Sequence, residues 1–188
     1  DMKGGYGGLG GRGLARGDRI AILPPEGPAP ALPELGALPD PEVAAFWRDR
    51  SGVTTVRSVP AAEYPRFTPE SRALFLTSDW QITPEANRMG YRLSGPVLSL
   101  DRKLELLSHG ILPGTVQVPP AGQPIVQLAD ANTCGGYPKI AGVIEADLWR
   151  IAQTGPGEAL RFVLVTPDEA IAAHRAQIAA IERLRAAV

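Results

Sequence analysis

Short runs of apolar and β-branched residues recur along the chain from residue 53 onwards, and prolines and glycines separate them. Runs of this kind favour strands, because Val and Ile fit a pleated and packed surface. The runs that predict strands are 53–59, 80–83, 115–118, 124–128, 139–143 and 160–165. Many short strands joined by tight turns are typical of sandwiches and barrels. The pattern therefore predicts a mainly β fold.

Helix signals lie between these runs. A helix over 41–50 would begin after Asp40 and bury Phe46 and Trp47. A helix over 69–76 would follow a threonine cap and a first-turn proline. A third helix, over 145–154, would turn one apolar side inwards, formed by Ile144, Leu148 and Ile151.

The C-terminal segment carries the clearest helix signal. Thr166, Pro167 and Glu169 combine a cap, a first-turn proline and a capping-box acid, and they predict a helix to about residue 187. One stripe at helical spacing consists of Ile171, His174, Ile178, Ile181 and Arg185. On this stripe His174 is interpreted as a packing or interface residue rather than as a ligand.

The N-terminal part has the composition of loops and linkers. Residues 4–13 contain seven glycines, but they lack the Lys-Ser/Thr ending of a phosphate-binding loop. Residues 19–23 predict a strand without a local partner, which we expect to pair with a preceding segment of a longer protein or with another copy. Residues 24–41 carry seven prolines and predict a semi-rigid linker.

Composition limits the classes of function. The chain of 188 residues is 44% hydrophobic, which is enough for one core. Its 19 basic and 20 acidic side chains nearly balance, which argues against a positively charged surface for binding nucleic acid. No apolar run approaches the roughly 20 residues of a membrane span. The single cysteine, Cys134, cannot form an internal disulfide, which favours a reducing cytoplasm.

Polar side chains concentrate between two predicted strands, at 130–139. Around the pair Gly135–Gly136 lie Asp130, Asn132, Thr133, Tyr137 and Lys139. Glycine lets a backbone approach a ligand closely, or lets successive N–H groups point into one concavity. The alternative is a hairpin loop with polar decoration.

A second polar stretch is 87–92. If 88–92 is extended, Arg88 and Arg92 share one face of the strand. Two cations suit an anionic ligand, because a guanidinium binds carboxylate or phosphate with two N–H groups. The amide of Asn87 can donate and accept at once. A solvated strand face or a structural salt bridge is the alternative.

Familiar catalytic arrangements are missing from the sequence. The two histidines lie far apart and there is one cysteine, which argues against a Cys/His zinc site, and no metal site is expected. A Gly-x-Ser-x-Gly elbow is absent. Cys134 lies in a glycine-rich loop but has no histidine nearby in sequence, so a nucleophilic role is disfavoured.

Three motifs carry a family resemblance. They are Asn-Arg-Met-Gly-Tyr-Arg-Leu-Ser-Gly-Pro at 87–96, Pro-Gly-Thr-Val-Gln-Val-Pro-Pro-Ala-Gly-Gln-Pro-Ile-Val at 113–126 and Gly-Gly-Tyr-Pro-Lys-Ile at 135–140. In this order the chain resembles the family of the 5-oxoprolinase C subunit, which includes biotin-dependent carboxyltransferases, allophanate hydrolase subunit 2 and the Kip anti-inhibitor of a sporulation kinase. Members are longer at the N-terminus, so the chain resembles their C-terminal portion. The family usually has threonine where Cys134 stands.

The resemblance implies a cyclophilin-like β-barrel over residues 53–165, with helices near 69–76 and 145–153 covering its ends. Residues 1–23 would be a glycine-rich loop and strand left from a preceding subdomain, 24–52 a Pro-rich linker and 166–188 a C-terminal helix. The resemblance also implies the C subunit of a 5-oxoprolinase complex, whose partners are the A subunit of 5-oxoprolinase and the KipI-like B subunit. This complex opens 5-oxoproline to glutamate with ATP. Carboxyltransferase relatives instead move a carboxyl group from biotin to urea, with biotin arriving on another chain.

The resemblance covers positions 87–91, 117, 123 and 133–139 but transfers no catalytic residue, so the substrate-binding roles expected for a set of these residues rest on chemistry. The set is Asn87, Arg88, Tyr91, Gln117, Gln123, Thr133, Gly135, Gly136 and Tyr137. A substrate carboxylate needs a cationic fork, from Arg88 or Lys139. A lactam or ureido group needs adjacent donor and acceptor amides. The two glycines are the expected N–H donors to an oxyanion, and Asp130 and Lys139 are the predicted catalytic residues.

Two classes of function follow from these residues. The first is part of an enzyme that acts on a small anionic lactam or ureido substrate, in a site shared with the KipI-like partner. The second is a regulator that binds the Kip-type kinase inhibitor without chemistry. The polar stretches favour the first, because a flat protein interface needs more aromatic anchors. The sequence leaves 5-oxoproline and urea-type substrates open.

Overall fold

A computed structural model describes residues 4–24, 27, 41–48 and 51–186, with the side chain of residue 48 excepted. It divides the chain into two compact units, Asp1–Gly36 and Ala37–Val188. The predicted cap Asp40 and most of the proline-rich linker lie outside the described residues. No described helix combines the length and the hydropathy that a membrane crossing requires.

The described part of the first unit is built of turns. The N–H of Gly11 donates to Gly7 O at 2.8 Å, and Arg12 forms an ion pair with Asp18 at 2.7 Å. Gly11 has φ +69°, and a Cβ there would lie 2.1 Å from the carbonyl carbon of Gly5, so the turn requires glycine.

The strand predicted over 19–23 does not form in the chain by itself, and its expected pairing with a preceding segment or with another copy stays a prediction. Residues 19–24 belong to no strand, and Ile22 and Leu23 are largely exposed. A strand is stabilised by the ladder that it forms with a neighbour, and the described residues offer these positions none.

The second unit contains the regular elements. The helices are α1 (Pro41–Arg48), α2 (Pro69–Thr77), α3 (Leu148–Ala152) and α4 (Pro167–Ala186). The strands are β1 (Val53–Pro60), β2 (Trp80–Ile82), β3 (Gly90–Ser94), β4 (His109–Gly110), β5 (Thr115–Gln117), β6 (Ile125–Gln127), β7 (Cys134–Gly135), β8 (Lys139–Val143) and β9 (Ala159–Leu164). Single 3₁₀ turns occur at Tyr64–Arg66 and Glu145–Asp147.

Seven of these strands form a closed barrel, in the order β1-β8-β5-β6-β3-β2-β9. Neighbours pair antiparallel except β1 and β9, which are parallel with Val53 opposite Ala159. The short strands β4 and β7 pair with each other outside the barrel. The predicted mainly β fold with a closed barrel is confirmed.

Alternation of side chains explains how the strands fill the barrel. In β1, Val56 and Ser58 are fully buried, and the residue between them is not. The core is completed by large side chains from other elements, among them Phe67, Phe75, Trp80, Leu93, Val126, Ile140, Ile151, Leu160 and Phe162. Phe75 of α2 stacks on Phe162 of β9 with ring centroids 4.5 Å apart, which fixes this helix against the barrel.

A buried ion pair joins the segment after β8 to β1. Asp147 is 1% exposed, and its carboxylate accepts from the backbone N–H of Arg57 at 2.7 Å. The same carboxylate accepts from the Arg57 guanidinium at 2.6 and 3.0 Å. This pairing raises the pKa of Arg57. A carboxylate satisfied in this way is tolerated in a core, where an unpaired one is not.

Two predicted helices differ in detail. The single helix expected over 145–154 is a 3₁₀ turn, Glu145–Asp147, followed by α3. The side chain of Asp147 accepts from Arg57 and makes no hydrogen bond as a cap of α3. In α1, Trp47 is 50% exposed rather than buried, and Phe46 makes edge contacts with both Trp47 and Trp149.

Candidate functional site

The motif 87–91 begins as a tight turn and continues as a strand. Asn87 and Gly90 exchange backbone hydrogen bonds at 3.3 and 3.1 Å. The amide of Asn87 is used inside the turn, since it accepts from Met89 N–H at 2.8 Å and donates to Glu85 O at 3.2 Å. Gly90 is required by close approach, because a Cβ there would lie 2.9 Å from Val126 O. Asn87 therefore positions its neighbours on the turn.

Arg88 lies at the tip of this turn and not in the strand, so the face that was expected to be shared with Arg92 does not form. The turn is fastened to the segment after β6. The N–H of Asp130 donates to Arg88 O at 3.0 Å, and the guanidinium binds both carboxylate oxygens of Asp130 at 3.1 Å. The two predicted site residues thus lie together, although they are far apart in sequence.

The Arg88–Asp130 pair is open to solvent. The side chain of Arg88 is 84% exposed and that of Asp130 is 46% exposed. Beside Arg88 lies a cavity of ≈ 360 Å³ with apolar walls from Leu128, Leu148 and Trp149. The arrangement places a cationic fork at the edge of an apolar recess.

A second group of predicted residues lies inside the protein, where β5 meets β8. A bulge after Val116 shifts the register so that Gln117 is opposite Lys139. Gln117 is 4% exposed, and its Oε1 accepts from Gln127 Nε2 at 3.1 Å. Its Nε2 is buried without a hydrogen-bond partner among the described residues. The bulge thus turns a polar side chain towards the interior.

Lys139 is a buried lysine that holds the adjacent loop. It is 7% exposed, and its Nζ donates to Tyr137 O at 3.1 Å and to Gly135 O at 3.3 Å. Its backbone N–H donates to the carboxylate of Glu63 at 3.1 Å. Burial lowers the pKa of the ammonium group, and the charge of Glu63 opposes this shift. Lys139, which was expected to offer its ammonium group to a substrate carboxylate, is enclosed by the folding of its own loop.

The glycine pair has a steric role. Gly135 in β7 pairs with His109 in β4, and a Cβ on Gly135 would lie 2.4 Å from Gln117 Nε2. A Cβ on Gly136 would lie 3.2 Å from Leu106 O. Neither glycine has the positive φ that would make successive N–H groups converge. The expected concave nest is absent, and the glycines instead allow the loop to pack closely on the glutamine.

The remaining loop residues face outwards. Tyr137 is 47% exposed and lines a cavity of ≈ 410 Å³ together with Gly136, Pro138, Arg102 and Lys103. Thr133 and Cys134 are exposed, and the Cys134 thiol is free. Arg88 and Tyr137 thus line two different cavities.

Gln123 and Tyr91 are used in the framework. The amide of Gln123 accepts from Gly95 N–H at 2.9 Å and donates to Gly95 O at 3.1 Å, so both of its polar atoms are engaged. Tyr91 is half-buried against the core opposite Val126, and burial raises its pKa.

Two residues that contribute to this site were not predicted from the sequence. Gln127 faces Gln117 from the next strand, and Glu63 binds the backbone of Lys139. The signal for Gln127 was its position as a polar residue within an apolar run. Glu63 had no local signal, because it lies 76 positions before its partner. The described residues contain no cluster of three or more potential metal ligands.

Comparisons with known proteins agree with this architecture. A family model for the carboxyltransferase domain, subdomain A and B, matches residues 1–164. The chain is 42% identical to the 5-oxoprolinase C subunit of Escherichia coli over 98% of its length and 56% of that protein. It is 38% identical to the 5-oxoprolinase C subunit of Haemophilus influenzae over the same shares. The chain thus spans about half the length of these curated relatives.

A solved structure supports the fold. The crystal structure of the K. lactis urea amidolyase matches with a TM-score of 0.60 and 23% identity, over 64% of this chain and 8% of that one. The family model covers most of the chain and the relatives align over nearly all of it, so the resemblance indicated by the three motifs is confirmed. The chain belongs to the carboxyltransferase domain family, subdomains A and B.

Proposed function

We propose that this chain is part of a 5-oxoprolinase C subunit, with a role in the ATP-dependent opening of 5-oxoproline to glutamate. The observation that carries the proposal is the 42% identity to the E. coli protein over 98% of the chain. The likeness to urea amidolyase, at 23% identity, supports the fold and does not favour urea as the substrate.

The Arg88 turn supports recognition of a small anion. Its guanidinium is exposed and is held in place by the backbone contacts between Arg88 and Asp130. A substrate carboxylate would take the place of Asp130 on the fork, since both present two oxygens at the same spacing. The apolar recess beside Arg88 would receive the ring methylenes.

Asp130 is the group that would then accept a proton or orient water. Once displaced from Arg88, its carboxylate would lie next to the bound substrate, because the backbone of the two residues stays hydrogen bonded. Lys139 would act by position, since its Nζ fixes the loop that carries Gly135 and Tyr137. The buried Gln117 amide would support the same loop from beneath.

ATP and the other subunits belong to the complex in this proposal. The A subunit of 5-oxoprolinase, together with the KipI-like B subunit, would supply nucleotide binding and the rest of the site, in the cytoplasm. A carrier-bound biotin is the corresponding requirement of the alternative, a urea-type carboxyltransferase. A regulator without chemistry is disfavoured, since it would not need a positioned Arg88 fork.

The test is a chimaera. The segment of the E. coli C subunit that aligns with this chain is replaced by this chain, and the chimaera is assembled with the A and B subunits of E. coli. We expect ATP-dependent release of glutamate from 5-oxoproline. A matched chimaera that carries Arg88→Ala should still assemble but should not recognise the substrate. It therefore separates a loss of assembly from a loss of substrate recognition.

The outcomes separate the candidate functions. Glutamate release that is lost in Arg88→Ala supports the proposal. A complex that assembles but, when it is also supplied with carrier-bound biotin, consumes ATP with urea rather than with 5-oxoproline supports the carboxyltransferase alternative. An assembled complex without turnover on either substrate would leave the regulatory function as the remaining one.

A further inference from the structure

Helix α4 leaves an apolar stripe uncovered. No residue of the helix, described from Pro167 to Ala186, is buried. Ala173 and Gln177 are half-buried on the side towards the barrel. On the adjoining side, isoleucines remain about half exposed: Ile171 at 49%, Ile178 at 46% and Ile181 at 48%. A monomer gains nothing from three isoleucines in one row on its surface.

The stripe has the spacing of a helix-pairing seam. Its positions are Ile171, His174, Ile178, Ile181 and Arg185, separated by alternating steps of three and four residues. This alternation keeps one row of side chains facing a second helix, as in the a and d positions of a coiled coil. We call these five residues the outer stripe. The capping box of Thr166 and Glu169, with hydrogen bonds of 2.7 to 3.2 Å, fixes the start of the helix that presents it.

Charges beside the outer stripe are complementary to those of a second copy. Arg175 and Glu182 are exposed, lie seven residues apart and flank the stripe on the same side. Arg175 forms no ion pair in the part of the chain that the structure describes, and Glu182 contacts Arg185 at 2.8 Å. In the outer stripe His174 and Ile181 take the d positions, so Arg175 and Glu182 are the residues that follow them. When two such helices pack antiparallel, the residues that follow the d positions face each other across the contact between the helices. Arg175 of each copy then lies opposite Glu182 of the other.

Other arrangements of two helices lack this match. A parallel pair would place Arg185 against Arg185 and would align the two helix dipoles. An antiparallel pair shifted by one heptad would place Arg175 against Arg175. The charge pattern therefore selects one orientation and one register, in which Ile178 of one copy packs on Ile181 of the other.

We propose that the outer stripe is the interface of a homodimer, with the α4 helices of two copies antiparallel and centred on Ile178 and Ile181. This inference is independent of the proposed function, since it uses no residue of the barrel loops. His174, whose Nδ1 lies 3.5 Å from a carboxylate oxygen of Glu145 in the same chain, would then border the interface.

The test is charge reversal followed by sedimentation of the full chain. We expect a concentration-dependent dimer for the unaltered protein. Arg175→Glu and Glu182→Arg alone should each raise the dimer Kd about tenfold, because each turns two attractive contacts into two repulsive ones. The double variant Arg175→Glu/Glu182→Arg should restore the Kd, since it rebuilds both pairs with the signs exchanged.

Two further variants complete the design. Ile178→Glu should abolish the dimer, and Ala172→Glu adds the same charge on an exposed position outside the stripe and should not. Far-ultraviolet circular dichroism checks that α4 is intact in each. A protein that is monomeric at all concentrations overturns the proposal. So does a dimer that is indifferent to Ile178→Glu, or single reversals that the double variant fails to rescue.

Discussion

The polar residues of the two motifs differ in what they are bonded to, and this difference decides what each can do. Arg88 and Asp130 hold each other at the surface. The side-chain amides of Asn87 and Gln123 are hydrogen bonded to nearby backbone groups. The side chains of Gln117 and Lys139 are buried. A side chain whose polar atoms are already engaged must break those bonds before it binds a ligand. The pair of Arg88 with Asp130 is exposed and costs little to break, so Arg88 is the strongest candidate for direct substrate contact.

We predict that Arg88→Ala lowers substrate affinity about ten- to a hundredfold, because a charged hydrogen bond is worth roughly 1.5–3 kcal/mol. The free energy of unfolding should change by about 1 kcal/mol or less, since the pair with Asp130 is exposed. The measurement is the KM for 5-oxoproline in the assembled chimaera, with urea denaturation of the chain alone.

Two variants serve as controls for this prediction. Arg92→Ala removes the same side chain from an exposed position on β3 and should leave KM nearly unchanged. Cys134→Thr should be nearly silent, because the thiol is exposed and free and the substitution introduces the residue usual in the family. Loss of turnover in Cys134→Thr with normal turnover in Arg88→Ala would reverse the proposed chemistry.

Lys139 gives a prediction of pH dependence. Burial lowers its pKa in the folded protein below the ordinary 10.5, so the unfolded chain binds the proton more readily. Stability contributed by this residue is therefore smallest below the lowered pKa and increases as the pH rises towards 10.5. The free energy of unfolding relative to Lys139→Met should rise over that window.

The measurement is chemical denaturation of both proteins at a series of alkaline pH values. Lys103→Met is the control, because its ammonium is 87% exposed and its removal should leave the pH profile parallel to that of the unaltered chain. A difference between the unaltered protein and Lys139→Met that falls with rising pH would refute the assignment.

At the scale of elements, the caps decide where helices begin. Thr68 accepts from Ser71 N–H at 3.1 Å and donates to Ser71 Oγ at 2.9 Å. Ser71 Oγ in turn accepts from Ser99 N–H at 2.8 Å, so the cap of α2 also ties down the segment after β3. One local sequence signal therefore produces a long-range contact.

We predict that Thr68→Ala destabilises the protein by about 1 kcal/mol, because it leaves Ser71 N–H without its acceptor at the first turn of α2. Thr68→Ser keeps the hydroxyl and should retain most of that free energy. The two midpoints of urea denaturation give the comparison. Equal loss in both variants would show that the threonine methyl matters more than the cap.

At the scale of the whole molecule, closure of the barrel depends on groups from distant parts of the chain. β1 and β9 close it by parallel pairing, and the buried Asp147 fixes the turn after β8 to β1 through Arg57. Arg150 lies 3.4 Å from the same carboxylate. A carboxylate that binds two cations inside a protein cannot be removed without leaving charge unpaired.

We predict that Asp147→Ala lowers the free energy of unfolding by about 3–5 kcal/mol, the cost of leaving a buried ion pair with one partner. Asp101→Ala, which breaks the more exposed pair with Arg66, should cost about 1 kcal/mol or less. Thermal and urea denaturation measure both. A similar small loss in the two variants would mean that the Asp147 network is dispensable.

The sequence by itself determined six of the seven barrel strands, all but β3, together with the starts of α2 and α4 and the family, because alternation, caps and motifs act within a few residues of each other. The tertiary structure decided the rest. Residues 19–23 form a strand only if a partner strand is present. The direction of the Gln117 side chain depends on a bulge, and the burial of Lys139 depends on the folding of its loop. Glu63 and Asp147 found partners 76 and 90 positions away, and such contacts arise only when the barrel closes.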